Sequence, residues 1–269
     1  MTNKRLTRFA GATLVGAAMT MAANAATTSY TADDLFIGFT KTGSTQDYLV
    51  NIGQASNYTS QTPSTTVTLS IGNIDTDLKA IFGSGYATDS TVQWGVIGTT
   101  RLSTVGSDPA HTIYASRAGN ASTATPWTTG SSGTLSTADA KIATMASNYN
   151  SKTSTANSNV GLIQSNIGTA SNGAFASYQP GGANATGAAS NLSFAYFTPT
   201  ILAGGGSGIS SDNLALFRLA AGASAPSSPE GTFSISSGGT VSFTSVPEPT
   251  SAALGLLGTV LMVARRRRR

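Results

Sequence analysis

The chain has 269 residues, no cysteine, one histidine and a formal net charge of +4, with charged residues making up 10% of the whole. Thiol catalysis and thiolate metal sites are thereby excluded, and so are histidine-cluster metal sites. Of the 15 basic residues, three lie within residues 1–25 and five at 265–269. The seven that remain on 26–246 face ten of the 11 acidic residues, a body of about −3 with no basic face for nucleic acid.

Lys4, Arg5 and Arg8 form a basic start, followed by an alanine-rich apolar stretch from Phe9 to about Ala22. Ala23-Asn24-Ala25 places small residues where a signal peptidase reads, so residues 1–25 are a secretory signal peptide cut between Ala25 and Ala26. The stretch is too short and too rich in Ala, Gly and Thr for a good transmembrane helix.

Residues 26–245 form the exported body. Residues 30–39 (YTADDLFIGF) and 47–52 (DYLVNI) are apolar runs around a polar connector, which predicts a hairpin. Residues 65–71 (TTVTLSI) alternate, with Val67, Leu69 and Ile71 on one face of a half-buried strand. In 73–82 (NIDTDLKAIF) the apolar spacing is helical. Asn73 serves as cap, Asp75 and Asp77 complement the first turn, and Gly83 is the stop. Residues 90–99 and 111–116 read as central strands joined by a loop holding Asp108-Pro109, with Trp94 and Tyr114 in the core. Residues 136–149 start with Ser136 three before Asp139, the pattern of a capping box, and Ile142, Met145 and Tyr149 face inward.

Residues 150–189 are dominated by Ser, Thr, Asn, Gly and Ala, and predict irregular loop with fragments of structure. Strands are expected again at 191–198 and 213–219, with a glycine connector at 204–208. A closing hairpin follows, 232–235 (TFSI) with 240–243 (TVSF). Asp33-Asp34-Leu35-Phe36 and Asp212-Asn213-Leu214-Ala215 are alike enough to suggest neighbouring strands. The sum is a mainly β protein, a single sandwich or jelly-roll-like domain with one or two short helices. The opening strand and the closing hairpin are expected in one sheet, which would bring the two ends of the body together.

Chemistry has few seats in this body. His111, beside Pro109 and Ala110, reads as a strand-edge residue, and no G-x-S-x-G elbow occurs. Glu230 is the body's one glutamate, so a glycosidase would need aspartates as acid and base. Asp33-Asp34 could join Ca²⁺ coordination, but no spaced Asp/Asn/Gly loop accompanies them; no metal site and no cofactor are expected. Asn57, Asn120, Asn184 and Asn191 head Asn-x-Ser/Thr triplets, which a chain this rich in those residues produces by chance.

The last 24 residues, 246–269, have three parts. Pro247-Glu248-Pro249 comes first, then the uncharged run 250–264, then Arg265, Arg266, Arg267, Arg268 and Arg269. As a helix the run reaches about 22 Å at 1.5 Å per residue, short against a hydrocarbon core of about 30 Å. The arginines stay on the cytoplasmic side, which puts the body outside the inner membrane. The prolines keep Glu248 extended at the surface, where a processing enzyme can grip it. Val246-Pro247-Glu248-Pro249, the apolar run and the basic end together resemble the PEP-CTERM sorting signal of Gram-negative bacteria. The resemblance implies recognition and removal of the tail by an exosortase, a membrane-embedded protease/transpeptidase, in bacteria that make exopolysaccharide. The partners it implies are signal peptidase, the exosortase, the inner membrane for a time, and exopolysaccharide. A plain C-terminal anchor is the alternative reading of the tail.

For the body, the leading expectation is a non-enzymatic protein of the cell surface or extracellular matrix. Its alternatives are a carbohydrate-binding module exposing aromatics such as Trp127 or Tyr178, and a hydrolase of extracellular polymer.

Overall fold

The computed structural model describes residues 25–89, 91–127, 132–165, 174–178, 200–201, 211–220 and 227–246. The side chains of 118, 132–134, 165, 177–178, 200–201 and 211–212 are outside the description. The expected signal peptide as far as residue 24, most of the low-complexity stretch, the strand expected at 191–198, the glycine connector and the tail from Pro247 lie outside it too.

Ten strands follow in chain order: β1 (Asp34–Lys41), β2 (Gln46–Gln54), β3 (Thr66–Thr68), β4 (Val92–Thr99), β5 (Ile113–Ala118), β6 (Gly161–Ser165), β7 (Thr200–Ile201), β8 (Ser211–Leu219), β9 (Ser228–Ser236) and β10 (Val241–Ser245). Among the described residues three α-helices accompany them, α1 (Ser56–Thr59), α2 (Ile74–Phe82) and α3 (Ser132–Tyr149), with two short 3-10 helices at Tyr86–Thr88 and Phe175–Tyr178. All pairings are antiparallel, in the order β3-β10-β9-β8-β5-β4-β1-β2-β6, with β7 against β4. The mainly β class stands. Its layering is one continuous curled sheet with an apolar cluster on each face.

Side-chain parity along the strands divides the two clusters. Leu35, Ile37 and Phe39 of β1 point to the first, as do Trp94 and Val96 of β4, Leu214 and Leu216 of β8, and Phe233 and Phe243 of the closing hairpin. Phe36, Ile97, Ile113, Ala115 and Phe217 point to the second. Strand β1 is therefore buried on both faces, and its near-continuous apolar run reflects that. β9 and β10 alternate buried and half-buried residues, as strands covered on one face do.

Helix α2 has the expected bounds. Asn73 Oδ1 accepts the Thr76 amide at 3.3 Å, and Leu78 and Phe82 enter the first cluster. Helix α3 is longer than expected, 18 residues. Ser136 lies inside it instead of capping it, and Asp139 turns inward, fully buried. Ile142, Met145 and Tyr149 do face the core, against the second cluster.

Four further expectations change. The strand at 65–71 shrinks to three residues at the sheet edge, with Val67 38% exposed, because its outer side has no partner among the described residues. β6 arises within the stretch read as irregular, since Leu162 alone gives it a buried apolar anchor and β2 supplies the rest through backbone pairing. β1 and β8 are not neighbours; β4 and β5 lie between them. The opening strand and closing hairpin share the sheet, but four strands separate β1 from β10.

Candidate functional site

Four places bear on function: the two ends of the body, an acidic cluster at the start of β1, the lone histidine, and a cleft between the sheet's outlying strands.

Ala25 and Ala26 are exposed, and Ala23 is outside the described residues. The Ala26 amide donates to Ser154 Oγ at 2.7 Å, its carbonyl accepts the Ser154 amide at 2.9 Å, and Thr27 bridges Thr153. At the other end β10 stops at Ser245, whose Oγ donates to the Thr62 carbonyl at 2.7 Å. The Val246 amide donates to the Glu230 carbonyl at 3.3 Å, and its side chain packs on the second cluster. Pro247, Glu248, Pro249 and the five arginines lie outside the described residues; in the sequence Pro247 follows Val246 directly, two positions after the end of β10.

Asp33 sits just before β1 at φ 76°, 2% exposed, with Oδ1 unbonded. Burial first, then the charges of Asp108 and Asp34, push its carboxyl up to about 7, while Arg218 pulls the other way. Asp108 accepts a hydrogen bond from Tyr114 Oη at 2.5 Å and one from Arg218 Nε. Asp34 accepts three hydrogen bonds, from the Thr31 amide (2.9 Å), Asn51 Nδ2 (2.8 Å) and Gln54 Nε2 (2.5 Å). A cation at Asp33-Asp34 would have to compete with those N–H donors for Asp34. Among the described residues no group of three or more His, Asp or Glu is placed to hold a metal.

His111 precedes β5 in a loop, at φ 63°, and not on a strand edge. Its Nδ1 is 2.7 Å from Oδ2 of Asp139, and Asp139 Oδ1 accepts from Thr99 Oγ1 at 2.8 Å. The buried carboxylate thus fixes the imidazole and ties α3 to the end of β4. Sequence spacing suggested a cap for Asp139; its partners come from 40 and 28 residues away, beyond the reach of any local pattern.

Trp127 does not present a binding face. It is 2% exposed, and the Arg117 guanidinium lies 4.0 Å from its ring centroid. Arg117 is held there by the Thr125 and Pro126 carbonyls. The expectation of an exposed aromatic at this position is corrected; the side chain of Tyr178 is outside the described residues.

The cleft has a volume of about 540 Å³ and opens where β2 and the edge strand β3 approach across the curl of the sheet. A bulge makes one wall: Leu35 pairs Gly53 while Phe36 pairs Asn51, leaving Ile52 as the extra residue. Gly53 takes φ 85° there, a conformation other residues rarely adopt. Short helix α1 then sets Tyr58 in the floor, its Oη donating to the Ile52 carbonyl at 2.7 Å and its ring 5.0 Å from Phe243, edge to face. Asn57, Gln61, Thr68 and Ser70 form the rim, and Val67 is the opposite wall.

These features define a β-rich body bounded by two anchored termini, the second continuous with a tail. Residues 245–269 match the family model described as the PEP-CTERM protein-sorting motif. The chain therefore carries the C-terminal sorting signal of exosortase substrates, and is an exported protein that is anchored in the membrane transiently and processed by an exosortase-like membrane enzyme. No helix among the described residues is long and apolar enough to cross a membrane. No curated protein and no solved structure matches the chain.

Proposed function

We propose that the body is a non-enzymatic structural protein, released by exosortase cleavage near Pro247-Glu248-Pro249 to the cell surface or an extracellular matrix and working there in contact with exopolysaccharide. The observation that supports this most is the junction. The matched motif starts on Ser245, the last residue of β10, so the whole sheet is the cargo of the signal. Signal peptidase would act first, between Ala25 and Ala26, and the arginines 265–269 would hold the tail in the inner membrane until cleavage.

Intact mass of the protein from native cells, fraction by fraction, tests the reading. A species starting at Ala26 and ending between Val246 and Thr250, in the surface or matrix fraction, is the expected result. A species running from Ala26 to Arg269 and confined to the inner membrane would mean that the tail is a plain anchor. Turnover of an extracellular polymer that is lost on His111→Ala or on changing a single aspartate would replace the structural reading with a hydrolase.

A further inference from the structure

We infer that the cleft between β2, α1 and β3 is a binding site for a neutral saccharide, a short stretch of uncharged polyhydroxylated chain. Its volume, about 540 Å³, falls within the usual range for small-ligand sites, roughly 300–1,000 Å³. None of the residues that line it is ionisable apart from Tyr58, whose hydroxyl is already committed to the Ile52 carbonyl and whose ionisation burial makes harder still. A charged ligand would find no counter-charge there.

What the rim offers is unused hydrogen-bonding capacity on neutral groups. The side-chain amide of Asn57 bonds to no described residue and is exposed. Gln61 spends Nε2 on the Asn57 carbonyl at 2.6 Å, which holds the side chain in place and leaves Oε1 for a ligand. Thr68 and Ser70, both exposed, also border the cleft through the facing segment. A primary amide has donor and acceptor side by side, the arrangement that matches a pair of adjacent sugar hydroxyls. The wall between them is apolar: Val67 is 38% exposed, with Leu69 half-buried beside it, a surface for the C–H face of a pyranose ring. An extended peptide would instead need a long free strand edge for backbone pairing, and β3 has three residues.

This goes beyond delivery to the surface and is independent of it, because binding is read on the purified chain whether or not the tail is processed in cells. The full chain in detergent micelles is titrated calorimetrically with neutral gluco-, manno- and N-acetylglucosamine oligosaccharides, with a polyuronate and a hydrophobic β-strand peptide as competitors of other chemistry. Saturable binding of at least one neutral oligosaccharide is expected. It should weaken about tenfold in Asn57→Ala, the loss of one or two good hydrogen bonds, and disappear in Val67→Lys, which puts a charge on the apolar wall. Both positions are exposed, so unfolding midpoints should not move. NMR of the Asn57 side-chain amide supplies a second readout without any variant: its resonances shift on titration. Failure of every neutral sugar to bind, binding unchanged in both variants, a stationary Asn57 amide, or capture of the polyuronate or peptide instead would each overturn the assignment.

Discussion

At Asp33 the folded state disfavours the charged carboxylate. A carboxyl held near 7 binds its proton more tightly folded than unfolded, where it titrates at 3.8. The sign follows: below about pH 4 Asp33 costs nothing, the penalty grows between about 4 and 7, and it is constant above. Asp33→Asn keeps a side chain that tolerates φ 76° and removes the charge. The variant should gain about 1–2 kcal/mol at pH 8 by chemical denaturation, and the gain should vanish by pH 4. An equal gain at both pH values would assign the effect to backbone or packing. The two tryptophans make a simpler prediction. Trp94 is fully buried and Trp127 nearly so, so emission of the folded protein should be blue-shifted and poorly quenched by iodide until the chain unfolds.

At the scale of elements, buried polar ties do what local propensity does not. Asp77, on α2, accepts from Tyr48 Oη (2.6 Å), Thr155 Oγ1 (2.5 Å) and Asn157 Nδ2 (2.7 Å), clamping helix, hairpin and the 155–158 turn together. Asp77→Ala removes the shared acceptor of all three and should cost about 3 kcal/mol in an unfolding titration, more than Asp75→Ala, whose half-buried carboxylate serves Tyr86 Oη and the exposed Lys79. Gly38 of β1 leaves room for the Phe175 ring: a Cβ there would meet ring atoms at 2.2–2.4 Å. Gly38→Ala should cost about 1–3 kcal/mol, partly recovered in the double variant with Phe175→Ala, a coupling that a double-mutant cycle reads directly.

These cases show which parts of the fold the sequence carried. α2 and the two hairpins were legible because their signals are local: a cap, a stop, and two apolar runs around a turn. β6 was not, since a strand that buries one large side chain leaves no periodicity. The inward role of Asp139 was hidden for a related reason, because His111 and Thr99 reach it through the tertiary fold. The cleft combines residues 51–61 with 67–71, 160 and 243, and no window of sequence contains its walls.

On the scale of the whole molecule, body and address are separable. The sheet closes at Ser245, so a chain stopped after Val246 should unfold at the same midpoint as the intact protein while losing its membrane phase in cells. A lower midpoint would mean that the tail also supports the body. The tail was legible as a motif, read at 246–269 where the family model matches 245–269, because a linear signal needs no tertiary contact to show in the sequence. The role of the body is spread over a surface, and linear reading reaches such surfaces last.

The junction between β10 and the tail also has a mechanical side. While the protein is anchored, drag on the body is transmitted through the tail, which leaves the described fold at Val246, one residue after β10. The load passes into one five-residue strand, paired to β9 on one side and to β3 on the other. Force spectroscopy with the handle at the C-terminus should show a first rupture in which β10 slides out and β3 is set loose. Phe243 would leave the floor of the cleft in that same event, so tension on the anchor and grip in the cleft would fail together.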